Sequence, residues 1–428
     1  MNPSQDQAAA EHPHIQPDSP FTRWRLAVAI MVVLSMLALV SAIYFQAPQW
    51  VGAKKMLTDY DAFHIAGTLA LEGRADDAYR MVTMLEAQEA ATGTRSFMPW
   101  TYPPPFTLFV AGLAKLPIGI GFLLFMGLSF ALYIHVIRRI AGPYTPGVMI
   151  VMLPTLVLLM RTGQNGFLTA SLIGLFLLAF LQRKPEAGLP LGLMVIKPHL
   201  AVGITLVTML ERRWQSVLIA AGTVIVLLLV PTVVLGPDVW QGFLDGVAES
   251  SGYLKQGLYP MFRMTSVYAF AHTLGAGAGL AMALQAAVAL GAVASLVWLW
   301  KQKAAPHRLA AAICCVSLFV SPYNYDYDLA ILGLAVAFVL PDMLNRTSTL
   351  EQTGLVALSW AATGYGLIRT MTMDNKTVRL TDERLGIDVW SLMAPLLLLL
   401  ILLSIRVLAR APLAAARSSA TGDAPRLA

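Results

Sequence analysis

Residues 23–45 read RWRLAVAIMVVLSMLALVSAIYF, and this stretch decides the fold. From Leu26 to Phe45 there is no charged side chain, while Arg23 and Arg25 stand just before the run. An α-helix needs about 20 apolar residues to cross the hydrocarbon of a bilayer. The run is long for a cleaved signal peptide, and many comparable runs follow. It therefore reads as a membrane anchor with its N-terminal side in the cytoplasm.

Composition agrees. Of 428 residues, 57% are hydrophobic and only 13% charged, and the mean hydropathy is +0.66. A soluble domain carries about a quarter charged residues, so most of this surface faces something other than water. The formal net charge of +6 could suggest nucleic acid as a partner. The basic residues are instead placed in short clusters between apolar runs: Arg138-Arg139, Arg183-Lys184, Arg212-Arg213, Lys301/Lys303/Arg308 and Arg406/Arg410/Arg417. That is the pattern of cytoplasmic loops, so the expected surroundings are membrane lipids. Cys314 and Cys315 are adjacent within an apolar run. Neighbouring residues rarely bridge, so they read as small buried side chains rather than a disulfide or metal site.

Working outward from the first run, residues 1–22 read as a disordered cytoplasmic tail, 23–410 as one membrane domain, and 411–428 as a second disordered cytoplasmic tail. A long first extracytoplasmic loop covers 46–103, with helical propensity near 76–92. A short apolar piece at about 106–116 is followed by a span near 118–137. Spans near 146–160 and 166–182 hinge at Arg161-Thr-Gly-Gln-Asn-Gly166. Two short pieces, about 187–197 and 199–210, flank Lys197-Pro198-His199, whose tip faces outward because both far ends are basic. A span near 215–236 leads to an outer loop at 237–263. Further spans fall near 278–300, 307–320, 328–343, 353–370 and 388–408. The expectation is an all-α polytopic bundle of about 10–12 transmembrane helices, both termini cytoplasmic. Proline-broken segments at membrane depth are tolerated where they line a cavity or pack in protein.

The residues able to do chemistry gather on one face: Asp59, Asp61, Tyr102, Gln164, Asn165, Lys197, His199, Arg263, Tyr323, Asp326 and Asp328. The opposite loops hold little but arginine and lysine, with no Walker-type loop. Chemistry on the outer face has no nucleotide at hand, so a sugar donor there must be lipid-linked. A carboxylate at a cavity mouth can act as general base toward an acceptor hydroxyl. Asp59 and Asp61 both qualify. Lys197 in an apolar hairpin is costly unless paired or wet, and an ammonium suits a phosphate, with His199 or Arg263 adding a contact. Asp326 and Asp328 could hold sugar hydroxyls or pair with Lys197. The tyrosines between 321 and 328 read as interfacial anchors. Gln164 and Asn165 could bond sugar or phosphate, or cap a helix turn.

These motifs also occur in a familiar order. Asp59-Tyr-Asp-Ala-Phe-His-Ile-Ala-Gly67, with Leu71-Glu-Gly73 and Ala78-Tyr79, resembles the first-loop signature of glycosyltransferase family 87. Pro99-Trp-Thr-Tyr-Pro-Pro104 with Leu116-Pro117, then Gly163-Gln164-Asn165, Lys197-Pro198 and Ser321-Pro322…Tyr327-Asp328 follow as in that family, and the resemblance covers roughly residues 25–345. It implies a GT-C fold in a bacterial inner membrane, with the active site facing the periplasm. It implies a polyprenyl-phosphate sugar donor, a lipid or envelope-glycan acceptor, inversion at the sugar, and the base role on Asp59 rather than Asp61. Lys197, His199 and Arg263 fall to the donor phosphate. Asp61, Tyr102, Gln164, Asn165, Asp326 and Asp328 fall to sugar and acceptor. No cofactor and no metal is called for. Tyr60 and His64 depart from the first-loop pattern, and Asp326 and Asp328 stand where the mannosyltransferase branch carries histidine. The sugar is therefore a hexose, mannose among them, or a pentose. The rival reading is a secondary transporter of a small solute, which also uses broken helices with polar centres. Transporters usually show matching halves with sites at mid-bilayer, whereas here the polar residues follow a single long loop.

Overall fold

A computed structural model describes residues 19–94, 98–372 and 389–413. Among them the regular elements are helices, apart from one antiparallel bridge between Met264 and Tyr325. The first helices are α1 Trp24–Val51, α2 Asp59–Leu71, α3 Met81–Thr92, α4 Pro104–Ala114, α5 Ile118–Ala141 and α6 Thr145–Val151. Next come α7 Leu153–Thr162, α8 Gly166–Leu181, α9 Gly188–Leu193, α10 Val202–Leu210, α11 Trp214–Leu235 and α12 Asp238–Gln256. The last are α13 Val267–Thr273, α14 Ala278–Lys301, α15 Pro306–Phe319, α16 Ala330–Leu344, α17 Thr349–Thr372 and α18 Met393–Leu408.

The chain is a multi-pass helical membrane protein. Among the described residues, five helical stretches are long and apolar enough to cross a bilayer: Trp24–Val51, Ile118–Val151, Trp214–Leu235, Ala278–Lys301 and Asp326–Leu344, and seven further apolar helices are shorter, 10–17 residues each. Proline explains much of the shortening. The run expected at 146–160 breaks between α6 and α7, with Pro154 in the first turn of α7, where its missing N–H costs nothing. The hairpin around Lys197 is broken by Pro198 into two 3-10 turns, Met194–Ile196 and Pro198–Ala201.

Three features differ from the sequence expectation. The outer loop 237–263 contains a full helix, α12, whose apolar residues Val239 and Leu254 are buried. Asp59 starts a helix, α2, packed on α4. Residues 19–22 fall within the expected tail, yet Phe21 is buried and its carbonyl accepts the Gly147 N–H at 2.9 Å. An aromatic side chain next to an apolar bundle gains more by packing than its polar neighbours lose, which ties this end down. The rest of both expected tails, 1–18 and 414–428, lies outside the described residues.

The bundle's outer surface is apolar. Val28, Val32, Val33, Met36, Val40 and Ile43 on α1 are exposed, as are Leu218, Ile225, Val226, Leu229, Val233 and Val234 on α11. In water so large an apolar surface would drive association; against hydrocarbon it is the matched surface. Inside, helices meet at glycines. A Cβ on Gly67 of α2 would lie 2.4 Å from the Val110 carbonyl oxygen of α4, and one on Gly166 would lie 2.1 Å from the Tyr327 carbonyl oxygen. The first contact seats α2 on α4; the second presses the start of α8 against the 321–328 segment.

Gly67→Ala should therefore lower the melting temperature in detergent, by the equivalent of about 1–3 kcal/mol for overpacking. Gly112→Ala is the control, because an added Cβ there meets no atom within 4 Å.

Candidate functional site

Five segments converge at one end of the bundle. The first is the start of α2. Asp61 accepts the Thr58 N–H at 3.0 Å and the Lys55 ammonium at 2.6 Å. Lys55 also donates to the Phe45 carbonyl at 3.3 Å, and its nitrogen lies 4.5 Å from the Phe45 ring centre. Asp61 is thus a structural residue that begins the helix and anchors the loop. Residues two apart on a helix point to different sides, so Asp59 faces elsewhere. Its Oδ1 accepts the Gln164 amide at 3.2 Å.

The second segment is Trp100–Pro105. The Tyr79 hydroxyl donates to the Tyr102 carbonyl at 2.9 Å and shares a hydrogen bond with the Thr107 hydroxyl at 2.7 Å. The Trp100 indole N–H also reaches Thr107, at 2.9 Å. Held this way, the Tyr102 hydroxyl donates to Gln164 Oε1 at 2.8 Å.

The third segment joins α7 to α8. Gly163 has φ +72° and ends α7; a Cβ there would lie 2.6 Å from the Cβ of Tyr60. This turn sets Gln164 between Tyr102 and Asp59. Asn165 donates its backbone N–H to Gln164 Oε1 at 2.8 Å. Its side chain lies beside the Tyr102 hydroxyl, yet both of its polar atoms are buried without a well-formed hydrogen bond.

The fourth is the broken hairpin. Lys197 is buried, and its ammonium donates to Asp328 Oδ1 at 2.6 Å and lies 4.5 Å from the Tyr327 ring centre. His199 follows, with Nε2 buried and without a partner.

The fifth pairs the Met261–Arg263 turn with residues 321–328. A backbone bond joins them, from Thr265 N–H to the Asn324 carbonyl at 2.8 Å, and the Asn324 side chain fixes the second segment to the end of α15 by donating to the carbonyls of Ser317 and Leu318 at 3.0 and 2.7 Å. The Arg263 guanidinium grips Asp326 with two hydrogen bonds of 3.0 Å each. The same guanidinium lies 3.8 Å from Asp59 Oδ2. Burial by itself would lower the basicity of Arg263. Asp326 and Asp59 outweigh it and hold the group above its ordinary value.

The structure thus brings together Asp59, Tyr102, Gln164, Asn165, Lys197, His199, Arg263, Asp326 and Asp328. Asp61 is not with them; the Lys55 ammonium and the Thr58 backbone hold it. Tyr325 and Tyr327, read from sequence as membrane anchors, instead stack on each other with ring centres 5.3 Å apart. They lie against Arg263 and Lys197 respectively. Their alternation with Asp326 and Asp328 is the available signal, because side chains adjacent in sequence to two site carboxylates lie close to the site.

Three carboxylates, Asp59, Asp326 and Asp328, face two cations, Arg263 and Lys197, which leaves one negative charge. Asp59 carries the looser end. Its Oδ2 is buried with no hydrogen-bond donor within reach, only the guanidinium at 3.8 Å. Among the described residues no group of three or more His, Cys, Asp or Glu side chains is placed to hold a metal ion.

A helical bundle with an apolar exterior, and buried paired charges gathered at one end beside broken helices, defines a polytopic membrane protein with a built polar site. The sequence model of glycosyltransferase family 87 matches residues 100–322, more than half of the chain. The chain belongs to that family and is a membrane glycosyltransferase. No match was found among curated proteins or among solved structures. Tyr102, Gln164, Asn165, Lys197, His199 and Arg263 lie within the matched region, whereas Asp59, Asp326 and Asp328 reach the site from either side of it.

Two outcomes are expected. Asp61→Asn should lower the melting temperature by the equivalent of roughly 3–5 kcal/mol, because it strands the buried Lys55 charge. Asp59→Asn should leave the melting temperature nearly unchanged. The second concerns His64, which burial, then the Lys55 charge, push from 6.5 down to about 4. Between those values the unfolded chain holds the proton and the folded chain does not, so this residue's share of stability falls as pH drops through that window. Melting curves at pH 4.5 and 7.5 should differ less for His64→Gln than for the wild type.

Proposed function

We propose that this cluster is the active site for transfer of a monosaccharide from a polyprenyl-phosphate donor to a lipid or envelope-glycan acceptor, with inversion at the sugar. The single observation that carries this reading is the open oxygen of Asp59. It is a buried carboxylate with one oxygen held by Gln164 and the other without a hydrogen bond, 3.8 Å from the Arg263 guanidinium. That is the state a general base needs. The fixed oxygen sets the geometry, and the free oxygen can accept a proton.

In the proposed step the acceptor oxygen attacks the anomeric carbon while its proton passes to Asp59 Oδ2. The bond from the anomeric carbon to the phosphate oxygen breaks, and the polyprenyl phosphate leaves with the electron pair. Arg263 and Lys197 offset the charge that grows on the leaving phosphate, an effect strengthened where water is excluded. His199 adds a contact to the same group. Tyr102, Gln164 and Asn165 line one wall, where the Asn165 amide has bonds left to make with sugar hydroxyls. Asp326 and Asp328 line the other. With the site empty, the two acids keep both cations paired; a single buried charge stripped of its partner costs about 3–5 kcal/mol. Donor binding then exchanges carboxylate partners for phosphate oxygens rather than creating pairs from nothing. The sugar is a hexose, mannose among them, or a pentose. The setting is the plasma membrane of a bacterium, with both termini cytoplasmic and the site on the periplasmic side, where lipid-linked sugars are the available donors.

The test uses protein reconstituted in liposomes with a polyprenyl-phosphate sugar and an extract of acceptor lipids. Asp59→Asn should cut transfer by about 10²–10⁴-fold, the range for loss of a general base, with the fold intact. Lys197→Gln should raise the KM for the donor more than it lowers kcat. Full activity in Asp59→Asn would end the assignment.

A further inference from the structure

A cavity of about 660 Å³ runs along the bundle from beside Phe319 to Arg308, away from Asp59. Its place follows from α15, which begins at Pro306 and ends at Phe319, shortly before the Asp326 segment. Arg308, in the first turn of α15, is therefore separated from the Asp59 cluster by roughly 20 Å of helix. The cavity is walled by α14, α15, α16, α17 and α18, through residues such as Val288, Leu296, Cys315, Val336, Leu355 and Leu400. Helix α14 leans on α15 and α18 on α17, so the groove runs between these two pairs with α16 behind it.

Arg308 is the one charged residue among the described residues that line it. Its guanidinium is poorly satisfied. Nη2 reaches Asp342 at 3.4 Å and the Leu408 carbonyl at 3.3 Å, both long, and Nε is buried without a partner. Asp342 is also claimed by Arg346 at 3.2 Å and by His307 at 3.2 Å. With Arg410 paired to Glu351, three arginines face two carboxylates at this mouth. The balance is one positive charge, beside a cavity of hydrocarbon.

We infer that this groove binds an anionic glycerophospholipid of the leaflet opposite the Asp59 site, with an acyl chain in the groove and the phosphate on Arg308. A void lined by hydrocarbon stays dry and forfeits dispersion contacts on one side, and a methylene chain restores them. The planar guanidinium suits a phosphate. The excess positive charge favours a head group of net negative charge over a zwitterionic one.

Native mass spectrometry of the purified full chain tests this with two probes, dioleoyl phosphatidylglycerol and dioleoyl phosphatidylethanolamine. The wild type should retain the first at least tenfold better. Arg308→Gln should remove that preference. Gly291→Phe should lower retention of both lipids tenfold, because an added Cβ at Gly291 meets no atom within 4 Å and the ring can fill the groove without disturbing the fold. This second variant keeps the test decisive if loss of Arg308 unfolds the protein. Equal retention of the two lipids by the wild type, undiminished retention by Gly291→Phe, or displacement of phosphatidylglycerol by added polyprenyl phosphate would overturn the inference.

Discussion

The grip of Arg263 on Asp326, with Asp59 at the edge of the same guanidinium, sets the terms for everything else at this end of the bundle. A charge moved from water into a protein interior costs several kcal/mol even after relaxation, and only a well-placed partner offsets it. Arg263 stands between two carboxylates and satisfies one of them fully. Asp326 is completely buried and takes both of its bonds to the fork. Asp59 receives only the outer reach of the same charge. One cation therefore ties up one acid with two hydrogen bonds and leaves the other under-bonded, a division of labour that arises from distance alone.

The helices serve that arrangement by giving up regularity where it is needed. Irregular backbone in an apolar setting survives only where its polar groups find partners. Here the turn at Met261–Arg263 is stitched to residues 324–325, and the Lys197 hairpin is broken by proline into 3-10 turns. Neighbouring backbone comes too close for a side chain at Gly67 and Gly166, as do the Tyr60 and Phe122 side chains at Gly163. Aromatic rings complete the enclosure: Phe63 meets Trp100, Tyr102 and Phe106 with ring centres 5.2–5.8 Å apart. These rings lie beside Tyr102, whose hydroxyl bonds Gln164.

The glycosyltransferase family and the bundle's chemistry meet at a matter of placement. The matched region contains both candidate cations and the amides, but the carboxylates come from outside it, from α2 and from the segment before α16. A site assembled from distant parts of the chain is held as firmly as the elements beneath it, which is why so much hydrogen bonding surrounds Tyr79, Thr107 and Asn324.

Some of this could be read without coordinates. A run such as 26–45 can only be a membrane helix, because its length matches the bilayer and nothing in it wants water. Basic clusters between such runs, with carboxylates gathered on the other side, set the expectation of which face carries the chemistry. The order of Asp59, Tyr102, Gln164, Lys197 and Asp328 pointed to the family. Choosing between Asp59 and Asp61 on physical grounds needed the helix that begins at Asp59. Once α2 forms, residues two apart diverge by more than a right angle, and Lys55 claims one of them. The pairing of Lys197 with Asp328 was open as an alternative, whereas that of Arg263 with Asp326 was not legible. Such partners are 131 and 63 positions apart, and no local periodicity reports a contact over that distance. Length, hydropathy and charge order are properties of the chain; which buried charge meets which is a property of packing, and only the folded bundle decides it.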